Sequence, residues 1–348
     1  MNRRPVCLLA ALALLLFIPV RAIADPVDEY VKKQIAASRL PGLSLAIIKN
    51  GAVLKAAGYG FADVEQKVEA QADTVYKIGS VSKQFLAAGI MLLVQDGRLT
   101  LEDSIARYLK DAPLAWHYIT IRHALTHTAG LVRESPAFAP TRIQSDADLI
   151  AAAYSQPLRF QPGQKWEYSN VGYFILADII RVVSGRQWTD FMRERVFAPV
   201  DMPSTWPTNT TRALPKRAVG YTGNDNSRRA DDWPALRASG AFLSTVLDLA
   251  KWDAQLSAMQ ILKADSRRQM WNPVSLDDGS QAPYGFGWHL DTFNGHRRIR
   301  HGGGLPGFIS EYARFEDAGL TIIALANGDD IDLPSLVGGL ASIYLPGK

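Results

Sequence analysis

Apolar positions recur along this chain in two rhythms, and the change from one to the other divides it. "PVDEYVKKQIAAS", from Pro26, sets Val27, Tyr30, Val31 and Ile35 on one stripe, the spacing of a half-buried helix, with Asp25-Pro26 as its start signal. "GLSLAIIKNGAVLKAAGYG" is two apolar runs joined by Asn50-Gly51, a pair suited to positive φ, and predicts a hairpin. From Val81 to about Trp252 the helical period dominates, broken by loops such as "RFQPGQKW" and "APVDMPSTWPTNT". Strand-like runs then return in "YGFGWHLDTF", "RRIRHGGG", "FISEYARF" and "LTIIALANG", and a last apolar segment reaches Tyr344. Strands at both ends with helices between predict an α/β (α+β) fold. Its N- and C-terminal segments build one antiparallel sheet flanked by helices, and a mainly helical insertion stands against its face. The sheet part is expected at about 25–80 and 253–348 and the helical part at about 81–252, in one domain without repeats or a linker. A cleft between the two parts is the expected place for chemistry.

The first residues follow neither rhythm. "MNRR" is a short basic start, Val6 to Ile18 is an unbroken apolar run, and Ala22 and Ala24 are small residues at cleavage-site spacing. Residues 1–24 therefore read as a secretory signal cut between Ala24 and Asp25, too short and too abruptly ended by Pro19 and Arg21 for a membrane anchor. A periplasmic or secreted location follows, with no membrane span once the signal is gone. The formal charge of +4 includes Arg3, Arg4 and Arg21, so the mature chain carries only +1, and nucleic acid drops out as a default partner. Cys7, the single cysteine, leaves with the signal, which excludes disulfides, a thiol nucleophile and a Cys-based metal site. The composition, 47% hydrophobic and 21% charged, belongs to a folded enzyme-like chain and not to a disordered one.

Candidate chemistry enters at "IGSVSKQF", Ile78 to Phe85, ahead of the apolar run "LAAGIMLLVQDG". Ser80 occupies what reads as a helix N-cap, and Lys83 lies one turn on along the same face. Ser80–Lys83 is the one S-x-x-K in the chain, and Tyr168-Ser169-Asn170 the one Y-x-N. His301-Gly302-Gly303 follows on an expected strand. In this order and at these separations the three stretches resemble the serine β-lactamase and penicillin-binding-protein superfamily, specifically its class C β-lactamase-like branch. "ITIRHALTHTAGL", "YSNVGYFILADII" and "ASGAFLSTVLDLAKW" support the resemblance, which covers essentially all of the mature chain.

The chemistry explains why these residue types occur together. A serine hydroxyl needs a base to take its proton, and Lys83 and Tyr168 are the two candidates, with coupled titrations that leave their order open. Asn170 offers one donor and one acceptor for Lys83 and a substrate carbonyl. The resemblance implies an oxyanion hole from the backbone N–H groups of Ser80 and Gly304. Glycines at 302–304, Gly303 among them, would let a substrate backbone lie close. It also implies an acyl-enzyme mechanism with no cofactor and no metal. His123 and His127 have zinc-like spacing but no accompanying H-E-x-x-H glutamate, and read as buried, hydrogen-bonded residues. Thr245 with Asp248 reads as a capping pair. Of Trp166, Trp206, Trp233 and Trp288, only the first and last lie near a motif.

One departure bears on the substrate. Relatives in this superfamily often carry Lys-Thr-Gly or His-Thr-Gly where this chain has His301-Gly302-Gly303, and the missing hydroxyl is a donor to a substrate carboxylate. A histidine with an ordinary pKa of about 6.5 is mostly neutral at pH 7. Carboxylate capture should then be weak unless Arg297 reaches in beside His301. The expected activity is therefore an exported serine hydrolase acting on an ester or amide bond of a small molecule or peptide. A cell-wall-derived peptide stays among the candidates. The alternatives are a D-alanyl-D-alanine carboxypeptidase or class C-type β-lactamase, and a penicillin-binding sensor that acylates without turnover.

Overall fold

The computed structural model describes residues 25–233 and 238–347; the expected signal segment lies outside them. Asp25 caps α1 (Pro26–Ser38) by accepting a hydrogen bond from the Val27 N–H at 2.9 Å. The hairpin forms as expected, β1 (Gly42–Lys49) and β2 (Ala52–Asp63) joined by Asn50 and Gly51, both at positive φ. A short β3 (Val68–Glu69) follows. The helical stretch holds α2 (Lys83–Gln95), α3 (Ile121–Thr126), α4 (Asp146–Ala153), α5 (Asn170–Ser184) and α6 (Val246–Ala258), besides shorter turns. Then come β4 (His289–Phe293), β5 (His296–Leu305), β6 (Phe308–Phe315), β7 (Leu320–Ala326) and α7 (Leu333–Tyr344).

The seven strands form one antiparallel sheet in the order β4-β5-β6-β7-β1-β2-β3, so the two chain ends meet where β1 pairs with β7, Leu43 opposite Ala326. Both faces of β1 are covered, which is why it reads as a continuous apolar run instead of an alternating one. Leu43, Leu45 and Ile47 point to an outer layer with Val27 and Val31 of α1 and Leu333, Leu336 and Leu340 of α7. Ala46 and Ile48 point inward, with Ile299, Tyr312 and Leu325, into the larger core shared with α2 and α5. The expected architecture stands, with two refinements. Of "YGFGWHLDTF" only the last five residues are strand, because Gly285 and Gly287 fold the first half against Met270 and Gln84. The boundary at Trp252 falls inside α6, which packs on β1, β2 and β7 and so belongs with the sheet.

Among the described residues, no helix is long and apolar enough to cross a membrane, and no three His, Cys, Asp or Glu side chains gather as a metal site.

Candidate active site

Ser80 lies in a single 3-10 turn, Gly79–Ser82, that runs directly into α2. This corrects the N-cap reading: the residue before the α-helix is Ser82, and it makes no capping bond. The Ser82 hydroxyl instead accepts the Phe242 N–H at 3.1 Å and anchors the turn, leaving the half-buried Ser80 hydroxyl facing the cleft. Gly79 has φ +50°, and a methyl group there would stand 2.8 Å from the Gly304 nitrogen. Only glycine lets the turn lie this tightly on β5.

Lys83, the first residue of α2, is fully buried. Its Nζ donates to Ser80 Oγ at 3.0 Å, Asn170 Oδ1 at 3.0 Å and the Ser239 carbonyl at 2.8 Å, and stands 4.7 Å from the Tyr168 ring centre. Nζ is thus well supplied with acceptors in its buried position.

Tyr168-Ser169-Asn170 is held from both sides. Ser169 caps α5, its Oγ accepting the Gly172 N–H at 3.2 Å and donating to the Val132 carbonyl at 2.7 Å. Its own N–H donates to His127 Nδ1 at 3.2 Å. Asn170 donates to the Arg133 carbonyl through its backbone and to Glu134 Oε2 at 3.1 Å through its side chain. His127 is buried at the left-handed end of α3 with its ring 4.2 Å from that of Tyr168, and burial, then the nearby Lys83, holds it neutral. His123 is only partly buried and accepts the Thr120 N–H through Nδ1. The two histidines thus serve local structure, and Thr245 caps α6 through the Asp248 N–H.

His301 sits on β5, 2% exposed. Nδ1 is 2.6 Å from the Gly302 carbonyl and so must carry the proton, which leaves Nε2 to accept from the Tyr284 hydroxyl at 2.9 Å. Burial first, then the positive field of His289 and Lys83, pushes its pKa well below the ordinary value. It stands in the site as a neutral ring with both nitrogens engaged. Gly303 is a glycine for contact with protein: a methyl group there would lie 2.1 Å from the Ile78 carbonyl oxygen and 2.9 Å from the Ser80 nitrogen. Gly304 faces open space. The Ser80 and Gly304 amides are thereby neighbours across the turn–strand contact.

Ser80, Tyr168, Asn170, His301, Gly302 and Gly304 line a cleft of about 860 Å³, which Gly303 does not reach. Its other walls are residues not singled out from the sequence: Arg133, Glu134 and Glu167 on one side, His289, Arg300, Glu311 and Pro334 on the other. Trp166 lines it, whereas Trp288 is buried against Trp271 and Tyr312. Arg297 does not reach in; it bonds Glu316 and the Trp271 carbonyl. Arg133, exposed, lies over the Tyr168 ring at 5.2 Å.

A family model described as "Beta-lactamase" matches residues 27–335. Penicillin-binding protein 4* of Bacillus subtilis (strain 168) is 31% identical over 312 residues, covering 81% of this chain and 68% of that protein. The chain spans about two thirds of the length of the curated relatives it matches, 64–68%. Among solved structures, the octameric penicillin-binding protein homologue from Pyrococcus abyssi superposes with TM-score 0.82 at 24% identity, over 92% of this chain and 76% of that one. D-amino acid amidase from Ochrobactrum anthropi SV3, complexed with D-phenylalanine, superposes with TM-score 0.78 at 25% identity, over 92% and 99%.

Proposed function

The chain belongs to the beta-lactamase family of serine hydrolases, and from that premise we propose that it cleaves an ester or amide bond through an acyl-enzyme on Ser80. The observation that carries the reading is Lys83 Nζ at 3.0 Å from Ser80 Oγ, in a buried pocket that also holds Asn170 and the Tyr168 ring. Lys83 and Tyr168 act as the proton-transfer pair. Lys83 Nζ and the Arg133 guanidinium both stand against the Tyr168 ring, and the Lys83–Tyr168 pair takes the Ser80 proton. Ser80 Oγ then attacks the carbonyl carbon, and charge develops on the carbonyl oxygen beside the Ser80 and Gly304 amides. The leaving group departs with the proton returned from the pair, and water later releases the acyl group by the same route. Asn170 positions Lys83, and His301 is a neutral spacer that fixes β5.

The amidase likeness favours an amide or ester without an essential carboxylate, in keeping with the missing hydroxyl at 302. The signal-like residues 1–24 support an exported location, where cell-wall peptides are available substrates.

Intact mass spectrometry of the wild type and Ser80→Ala, each mixed with benzylpenicillin or an activated short-chain ester and sampled over time, tests the reading. A transient adduct with steady product release, absent from the variant, is expected for the ester. A permanent penicillin adduct would replace the hydrolase by a sensor, and no adduct with either compound would remove Ser80 from the mechanism.

A further inference from the structure

The cleft contains an acid that the proton-transfer pair does not use. Glu311 on β6 stands directly across from Gly302 on β5, is 1% exposed, and contributes to the cleft wall. Its Oε1 accepts from Arg300 at 3.3 Å, while Oε2 has no hydrogen-bond partner among the described residues. A side chain at position 302 would begin 2.8 Å from that oxygen. The place from which a hydroxyl would reach a substrate carboxylate is therefore filled by a second carboxylate. Arg300 is shared, donating also to Asp291 at 3.0 Å, and Arg298 pairs with Asp291 as well; the two arginines balance the two acids in charge, but Oε2 is left without a hydrogen bond from either.

The position of Glu311 along the strand says which half of the substrate it meets. The oxyanion amides sit at Ser80 and Gly304. From there β5 runs back through Gly302 to His301, whose ring is 6.2 Å from that of Tyr168. The proton for the leaving group comes from the Lys83–Tyr168 side, so the Gly302 end receives the leaving group. Resting on the hydrolase reading above, we infer that Glu311 determines specificity at that end, drawing in leaving groups with a positive charge and excluding those with a carboxylate. A buried acid with an unmet acceptor attracts a cation and repels a like charge at close range.

Three acetyl thioesters differing only in the leaving thiol test this: thiocholine, ethanethiol and mercaptoacetate. In each, Ser80 displaces the thiol, which leaves with one proton, and water then frees acetate; the released thiol is read colorimetrically. At pH 8, above the value of about 7 to which burial pushes Glu311, wild type should favour the cationic over the anionic thioester by about tenfold or more in kcat/KM. Referred to the neutral thioester, so that general loss of activity cancels, that ratio should fall about tenfold in Glu311→Gln and keep its direction in Glu311→Asp. An unchanged ratio in Glu311→Gln, or a wild type that prefers mercaptoacetate, overturns the inference while the hydrolase reading stands. If Ser80→Ala cleaves all three as well as wild type does, both fall together.

Discussion

At the scale of single residues, the proton-transfer pair and the buried ionisable groups make separable predictions. Lys83→Met removes the donor to Ser80, Asn170 and Ser239. Loss of a positioned proton-transfer group should slow acylation by about 10²–10⁴-fold, measured by single-turnover adduct formation. Glu311 is held protonated in the folded chain up to about pH 7 by burial, against an ordinary value of 4.5. Between those values the folded state holds more protons than the unfolded one, so this group's contribution to stability is full below about 4.5 and is lost as pH rises through 7. The span is worth at most about 3 kcal/mol. By urea unfolding, the stability of Glu311→Gln relative to wild type should be higher at pH 8 than at pH 5; the same relative stability at both pH values would refute this. The sequence did carry a trace of Glu311, a lone acid within the strand-like "FISEYARF", both faces of which turn out to be covered. What it could not carry was the partner across the sheet, because cross-strand register depends on the turn at Pro306-Gly307 and not on either strand alone.

At the scale of elements, the contact between the Gly79–Ser82 turn and β5 decides how Ser80 is presented. Gly303→Ala would drive a methyl group into the Ile78 carbonyl, and moving a backbone that is packed on both sides should cost roughly 3 kcal/mol and most of the activity. Gly304→Ala meets nothing within 4 Å, so its melting temperature should stay near that of wild type. Differential scanning calorimetry of the pair separates the two, and equal losses would mean that the turn and strand are not in the contact described. Elements with local signals were legible: α1 from its stripe and cap, and the β1–β2 hairpin from Asn50-Gly51. Those set by tertiary contact were not. Ser80 imitates a cap because serine before an apolar run looks the same whether an α-helix or a 3-10 turn comes next. The assignment of α6 to the sheet depends on a packing face that its amphipathic pattern does not identify.

At the scale of the whole molecule, the buried neutral histidines set an acid limit. His127 and His301 are held uncharged by burial, so below about pH 6.5 the unfolded chain takes up protons that the folded one refuses. Their contribution is complete above that pH and is lost as pH falls below it. Melting temperature should therefore drop between pH 6.5 and 5, less steeply in His127→Gln; a parallel drop would assign the acid limit to other groups. The pairing of β1 with β7 has a further consequence, in time instead of energy. A strand near the middle of the sheet comes from one end of the described chain and its neighbour from the other. Closing so long a loop is entropically slow, and until it closes β1, paired only with β2, presents an unpaired edge. A chain emerging from synthesis N-terminus first must hold this sheet unfinished until β7 arrives. Through that delay the N-terminal strands stay an open hairpin, still able to unravel and be threaded.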